Sequence, residues 1–472
     1  MGVGWLFLLA PLQVALGQTQ SEEIEQLKAT TEQMQKTLDA QAQKIQALEA
    51  QHAAAPEVVL MPPAIIVEEQ RPETFIVDKQ SPSPKQKLAP RPDNATVAPP
   101  PVETLPSASF GFWTIPGTTI QMRFGGDVVG VGLVTSKLMG STTWFVTSTI
   151  PVQGQDFYNS GVQVTGTANQ SDLNFEVRMP TPVGSLRVVY RNDFAQPDSP
   201  QFVYDLKDFY VQAANLLVGF TESVFADLDA QPSTLDYEGT NSEISYRHFQ
   251  VRYVLKLIRS ESSDFLLNVA LENPASQIPV GVGTPRSVAP DGALSLRLEG
   301  KPGHLQLATV LRAIGSQTAS GQSQTVFGWG LSLSGNLNLW GADFLSLQVA
   351  GGQGAAAYFN DTGGLGLDAA DNAQGQLTAL SIFGTFVGYT HHWAVRWNST
   401  ASYGYLVMDS IPYAVSLGSS GFRRSQYASL NLVYKPWQHL LVGVEGLWGY
   451  NQTLTGASGQ AWRGQMNLQF TF

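Results

Sequence analysis

The sequence predicts an all-β protein: a transmembrane antiparallel β-barrel of about sixteen strands, preceded by an N-terminal α-helical coiled coil and a disordered linker. Three observations carry this reading. From Phe110 to Phe472 apolar residues recur at every second position. Only 14% of residues are charged, where a soluble protein carries about 25%, and Gly, Ser, Thr, Gln and Asn fill the deficit. Tight turns alternate with long polar ones, as they do in bacterial barrels with short turns at one end and long loops at the other.

The bulk numbers exclude other classes. Beyond the N-terminus there is no apolar run of the roughly 20 residues that a membrane-spanning helix needs. A net charge of −11 argues against a nucleic-acid partner. The chain has 0 Cys, which removes thiolate catalysis, Cys-based zinc or iron–sulfur sites, and disulfides.

The N-terminal elements follow in order. Residues 1–17 read as a secretory signal peptide: Trp5 to Leu16 is a short apolar core, and Ala15-Leu16-Gly17 supplies small residues for cleavage before Gln18. Its n-region has no Lys or Arg. Residues 18–52 read as a coiled-coil stalk. Ile24, Leu27, Thr31, Met34, Leu38, Gln41, Ile45 and Leu48 recur in steps of three and four with no Gly or Pro between them, and Ser21-Glu22-Glu23 supplies an N-terminal cap and negative charge. A single helix of this length is marginal alone, so the seam implies a partner. Residues 53–109 hold 12 of the 27 prolines, including Pro62-Pro63 and Pro99-Pro100-Pro101, and predict an extended spacer.

The barrel is expected over 110–472. Leu173, Phe175, Val177 and Met179 alternate with Asp172, Asn174, Glu176 and Arg178. Phe249, Val251, Tyr253, Leu255 and Leu257 alternate with Gln250, Arg252, Val254 and Lys256. Leu294, Leu296 and Leu298 interleave with Ser295, Arg297 and Glu299, and Met466, Leu468, Phe470 and Phe472 with Gln465, Asn467, Gln469 and Thr471. Alternation alone does not separate a barrel from a soluble sandwich. The turns help: Val183-Gly184, Trp340-Gly341 and Lys435-Pro436-Trp437 read as tight, whereas 197–201, 221–241, 273–290, 354–373 and 450–460 read as long. Trp329, Trp340, Trp393, Trp397, Tyr434, Trp437 and Trp448 sit near predicted strand ends, where a barrel places its interfacial girdles. Sixteen strands leave a water-filled lumen.

Several stretches resemble the DcaP-type trimeric porins: Trp113-Thr-Ile-Pro-Gly-Thr118 leading into Gln121-Met-Arg-Phe-Gly-Gly126, Phe145 to Val152, Phe175 to Gly184, and Val218 to Asp229 continuing through Leu235-Asp-Tyr-Glu-Gly239 to Gln250-Val-Arg-Tyr253. They cover mainly the first third of the barrel. The resemblance implies a homotrimeric channel, integral to the bacterial outer membrane, for small and often dicarboxylic anions, with the coiled coil in the periplasm. The linker is longer than in that family, and Gly-Phe-Thr221 stands where relatives carry a Gln-Thr-Trp-like stretch. The alternating C-terminal strand ending in Phe472 resembles the signal read by the outer-membrane assembly machinery.

Parity assigns candidate site residues. Arg178, Arg187, Arg191, Arg252, Lys256, Arg297 and Arg312 face the expected lumen, partly balanced by Glu176, Asp193 and Glu299. Such a basic ladder favours anions; the alternative is that these charges pair among themselves and merely solvate the wall. The 221–241 segment carries Glu222, Asp227, Asp229, Asp236 and Glu238. Folded inward, these acids oppose a basic wall across a constriction; left outside, they offer an acidic loop to divalent cations or lipopolysaccharide. No metal or other cofactor is expected: His391-His392 point to opposite faces of a strand, and Asp361, Asp368 and Asp371 lack the spacing of a calcium loop. No nucleophile elbow or phosphate-binding loop occurs, so no enzyme is expected. The competing classes are a channel for small anionic solutes, a structural anchor whose stalk contacts peptidoglycan, and an adhesin. Outer-membrane lipids are partners under all three.

Overall fold

The computed structural model describes Lys28, Lys36 and residues 111–472, apart from 183, 261–262, 280, 319–320 and 410–420. The expected signal peptide, coiled coil and linker lie outside the described residues, except for Lys28 and Lys36, each in helical conformation.

The strands form one closed antiparallel barrel of 16 strands. In chain order they are β1 (Gln121–Thr135), β2 (Asp172–Thr181), β3 (Gly184–Asp193), β4 (Asp205–Ala213), β5 (Leu216–Glu222), β6 (Arg247–Arg259), β7 (Ser263–Glu272) and β8 (Asp291–Gly300). Then come β9 (Gly303–Gln317), β10 (Ser323–Asn338), β11 (Phe344–Gln353), β12 (Ser381–Ala394), β13 (Trp397–Met408), β14 (Phe422–Trp437), β15 (Leu440–Thr453) and β16 (Ser458–Thr471). Each pairs with its neighbour in sequence. β1 closes the ring, pairing with β2 along Gln121–Asp127 and with β16 along Asp127–Thr135. At the seam Phe472 N–H donates to Gly126 O at 3.0 Å and Gly126 N–H to Phe472 O at 3.2 Å.

The alternation resolves in the sense of a barrel. On β6, Phe249, Val251, Tyr253 and Leu255 are exposed while Gln250, Arg252 and Val254 are buried; on β8, Leu294 and Leu298 are exposed while Ser295 and Arg297 are buried. A water-soluble sandwich would bury the leucines. Here the apolar face looks outward, where only lipid would cover it. Trp340, Trp393, Trp397 and Trp437 lie exposed at the tight-turn end, and Phe327, Trp329 and Trp462 lie exposed toward the loop end, as two interfacial girdles require.

Two turn expectations need correction. Lys435-Pro436-Trp437 belongs to β14, where the register shifts between Tyr434 and Trp437, and the chain reverses at Gln438-His439. Proline is tolerated at such an irregularity because its missing N–H breaks no regular ladder bond. The 450–460 stretch is mostly strand, reversing over 454–457; its polar residues continue β15 and β16. The longest connection among the barrel strands, 136–171, carries a short strand (Gln163–Thr167) that pairs with the upper half of β1.

Candidate functional site

The interior is built by three connections that fold inward: 136–171, 223–246 and 354–380. The inner wall makes room for the 223–246 loop by presenting glycine. A Cβ on Gly388 of β12 would stand 2.6 Å from the Pro232 ring, and one on Gly443 of β15 would stand 2.6 Å from the Leu235 side chain. Side chains of the far wall then hold the loop backbone. Glu445 accepts from the N–H groups of Leu235 and Asp236 at 3.0 and 2.8 Å, Asn431 donates to Ser233 O at 2.8 Å, and Asn467 donates to Leu235 O at 3.1 Å. The 354–380 loop packs Tyr358, Phe359 and Leu367 into the main apolar cluster with Phe225 and Ile244 of the 223–246 loop and Val310 and Leu406 of the wall.

The five acids named from sequence spread along this inward loop. Glu222, at the end of β5, pairs with Arg247 at 3.1 Å. Asp227 is buried between Arg297 at 2.9 Å, His304 Nε2 at 2.9 Å and Ser334 Oγ at 2.6 Å. Burial pushes its pKa up, but the His304 contact and the Arg297 charge prevail and hold it below the usual carboxylate range. Asp229 also meets Arg297, at 2.5 Å. Asp236 accepts from Phe145 N–H at 3.1 Å, and burial raises its pKa to about 6. Burial, reinforced by Asp236, Asp361 and Glu243, raises Glu238 well above the ordinary value. Asp361 of the 354–380 loop accepts from Thr147 Oγ1 at 2.8 Å and Ser425 Oγ at 2.7 Å, and burial raises it to about 6. Among the described residues neither Asp236 nor Asp361 forms an ion pair.

The seven basic residues fall into two groups. Arg178 and Arg187 converge on Glu176 at 2.7 and 2.5 Å, joined by Arg123 at 3.3 Å, and Arg191 lies 3.6 Å from Asp172. These four side chains keep 22–30% of their surface in water, whereas Glu176 keeps 4%. Lys256 is similarly open and pairs with Asp264 at 3.2 Å. The others are enclosed. Arg252 donates to Gln250 and to Glu222 O, and Arg297 binds Asp227, Asp229 and Glu299. Arg312, only 1% exposed, bridges Asp291 at 3.0 Å and Asp368 at 2.9 Å and donates to Gly354 O and Ala275 O. Asp193 meets Lys207 at 3.2 Å and the Tyr237 hydroxyl. Phe472 is half-exposed at the seam, its ring 6.0 Å from Phe124.

The three loops therefore cover the inner wall from β10 to β16, where Ser334, Gln348, Thr400, Asn431 and Gln465 are buried. Partly exposed inner-face arginines lie on β1–β3. A small polar cleft sits between the start of the 223–246 loop and the wall, lined by Tyr210, Gln212, Thr221, Arg252, Asn268 and Arg297. Sequence reading passed over Arg123, Arg247, His304 and Arg463. Arg123 and Arg463 lie on alternating strands beside residues already assigned, so the same parity reaches them. His391 and His392 both approach Asp343, at 2.8 and 3.8 Å, and tie off the turn after β10. No cluster of three His, Asp or Glu able to hold a metal occurs among the described residues.

Comparison with known proteins agrees with this architecture. The model of the DcaP outer membrane protein family matches residues 120–472. The outer membrane channel DcaP of Acinetobacter baumannii superimposes with a TM-score of 0.65 at 19% identity, over 76% of this chain and 99% of that one. The anion-selective porin of Comamonas acidovorans gives 0.48 at 9% identity, over 75% and 100%. OmpT of Vibrio cholerae gives 0.45 at 11% identity, over 76% and 99%. No curated protein matches the sequence. The matched segment runs from the first barrel strand to the last residue, and the chain belongs to the DcaP outer membrane protein family, integral to the outer membrane with the porin fold.

Proposed function

We propose that the protein is a passive outer-membrane channel that prefers small anions, including dicarboxylates. The observation that carries this reading is the asymmetry of the interior. Arg123, Arg178 and Arg187 surround one carboxylate, Glu176, and keep more than a fifth of their surface in water while Glu176 keeps 4%. Three of the loop acids are enclosed, Glu222 at 1%, Asp227 at 3% and Asp236 at 2% exposed, while Asp229 keeps 28% of its side-chain surface and is held by Arg297. An ion passing along β1–β3 therefore meets guanidinium groups first, in a low-dielectric wall where screening by water is incomplete. The Acinetobacter baumannii relative is itself described as a channel.

We read the assembly as a homotrimer. Strand β5 has 7 residues, short of the about 9–11 needed to cross the hydrocarbon, and β3 and β4 beside it, with 10 and 9, only just reach that length. A wall this low is better covered by another protomer than by lipid.

The test of the channel reading is the reversal potential of purified protein in a planar bilayer under a potassium chloride gradient. Anion preference supports it, and cation preference contradicts it. Absence of conductance favours a barrel that only anchors the chain.

A further inference from the structure

The polar cleft beneath the start of the 223–246 loop is lined by two arginines and by no Asp or Glu. Cross-strand partners share a face, and one inner row runs Gln212, Leu217 and Arg252 across β4, β5 and β6. The next row on that face sets Val254, Asn268 and Ser295 side by side across β6, β7 and β8. The two arginines differ in their partners. Arg297 is matched by Asp227, Asp229 and Glu299. Arg252 is 6% exposed, and among the described residues it forms no ion pair. Its Nε donates to Gln250 Oε1 at 3.0 Å and its Nη2 to the Glu222 carbonyl, both neutral oxygens, and Nη1 takes part in neither bond. The carboxylates whose charge reaches it are committed elsewhere: Glu222 to Arg247 at 3.1 Å, Glu272 to His248 at 2.9 Å and Asp208 to the Thr221 hydroxyl at 2.6 Å. Enclosing a cation among neutral groups is costly, and an anion in contact with it offsets that cost.

We propose that this cleft is a binding subsite for a short-chain monocarboxylate, its carboxylate on Arg252 and its alkyl end on Leu217, Val254 and Leu266. A guanidinium offers a carboxylate parallel N–H donors in a fixed plane. Ser295 Oγ accepts from Asn268 Nδ2 at 3.0 Å, which leaves its own proton to donate. The Tyr210 hydroxyl and the Gln212 amide add neutral donors from β4. Leu217, Val254 and Leu266 are buried and line the same cleft, so a short alkyl chain laid on them leaves water. A few placed donors over an apolar floor is the usual make-up of a small-molecule site. A second carboxylate on the solute would have to stand against that floor, so the cleft disfavours dicarboxylates of the same length. The subsite goes beyond the anion preference proposed above, which rests on other arginines, those of β1–β3.

The experiment is saturation-transfer NMR of butyrate with the full-length protein in detergent at constant ionic strength, with butyramide and succinate as competitors. Wild-type protein should bind butyrate saturably, and both competitors should displace it at least tenfold less well than unlabelled butyrate. Arg252→Gln should weaken binding at least tenfold. Leu217→Phe, which fills the apolar end and leaves every charge in place, should abolish butyrate binding and spare acetate. It keeps the test valid if Arg252→Gln does not fold. No saturable binding to the wild type overturns the proposal, as does wild-type affinity in folded Arg252→Gln. Equal displacement by butyramide overturns it too, since the cleft would then be an apolar cavity indifferent to charge. An anion-preferring channel that does not bind butyrate overturns the subsite alone. Butyrate binding that Arg252→Gln abolishes, in a channel without anion preference, supports the subsite and contradicts only the functional reading.

Discussion

Replacing Arg312 by Met should release a loop without changing the charge that a passing ion meets. Arg312 is 1% exposed, and the two carboxylates it bridges, Asp291 on β8 and Asp368 in the 354–380 loop, are 2% and 0% exposed. Removing the guanidinium leaves both acids buried without their cation, a loss of about 3–5 kcal/mol for a broken buried pair. The donations to Gly354 O and Ala275 O, which fix the roots of two loops, disappear as well. The backbone ladders of β8 with β9 and β9 with β10 are continuous and independent of this side chain, so the loss falls on loop docking and the barrel stays closed. Burial outweighs Arg312 in raising the Asp368 pKa, so protonation of Asp368 relieves part of the strain as pH falls. Adding Asp368→Asn should recover part of the docking energy, because the neutral amide needs no counter-ion while Asp291 stays without Arg312. Limited proteolysis measures the effect: cleavage within 354–380 should accelerate at least tenfold in Arg312→Met and return part of the way in the double variant, with the reversal potential unchanged in both. Wild-type protease resistance together with a shifted reversal potential would refute the reasoning and make Arg312 part of the filter.

Three further outcomes are expected. Burial raises the pKa of Asp236 and Asp361 to about 6 from the ordinary 3.8, for Asp236 against the opposing charge of Arg463. Their ionised forms therefore destabilise loop packing above that pH, and packing tightens as pH falls from 7 through 6 and levels off below about 4. Hydrogen exchange over 232–243 and 356–363, corrected for intrinsic rates, should slow by tenfold or more between pH 7.5 and 5, and Asp236→Asn with Asp361→Asn should abolish the difference. Deleting Phe472 removes the paired bonds to Gly126 and the ring contact with Phe124; outer-membrane levels on fractionation should drop at least fivefold with export to the periplasm intact. Light scattering of the detergent-solubilised protein should give a trimer with or without residues 18–52 if, as proposed, the barrel walls supply most of the contact.

Period-two alternation was enough to orient the wall, since a residue such as Val251 or Arg252 has only two faces to choose from and lipid accepts only one of them. The inward loops were less legible. The course of the 223–246 loop depends on absent side chains at Gly388 and Gly443 and on Glu445, Asn431 and Asn467, all far along the chain and individually ordinary for a barrel strand. Parity also treats Arg178 and Arg312 alike. What separates them is Asp368, brought by a loop whose approach no local pattern encodes, so one arginine stays in water while the other is sealed. Turn signals failed where polarity and loop came apart: Asn451, Gln452 and Thr453 read as loop yet continue β15 above the lipid belt.

The central claim, that exposed arginines on β1–β3 set the selectivity of the passage, is tested most directly by charge reversal. Replacing Arg178 and Arg187 together by Glu changes the local charge by four units while touching only the inner face. In a tenfold potassium chloride gradient the wild type should show a reversal potential of the anion-preferring sign, and the double variant should fall to zero or change sign, most strongly at low salt, with folded yield preserved. An unchanged reversal potential in a folded double variant would contradict the account.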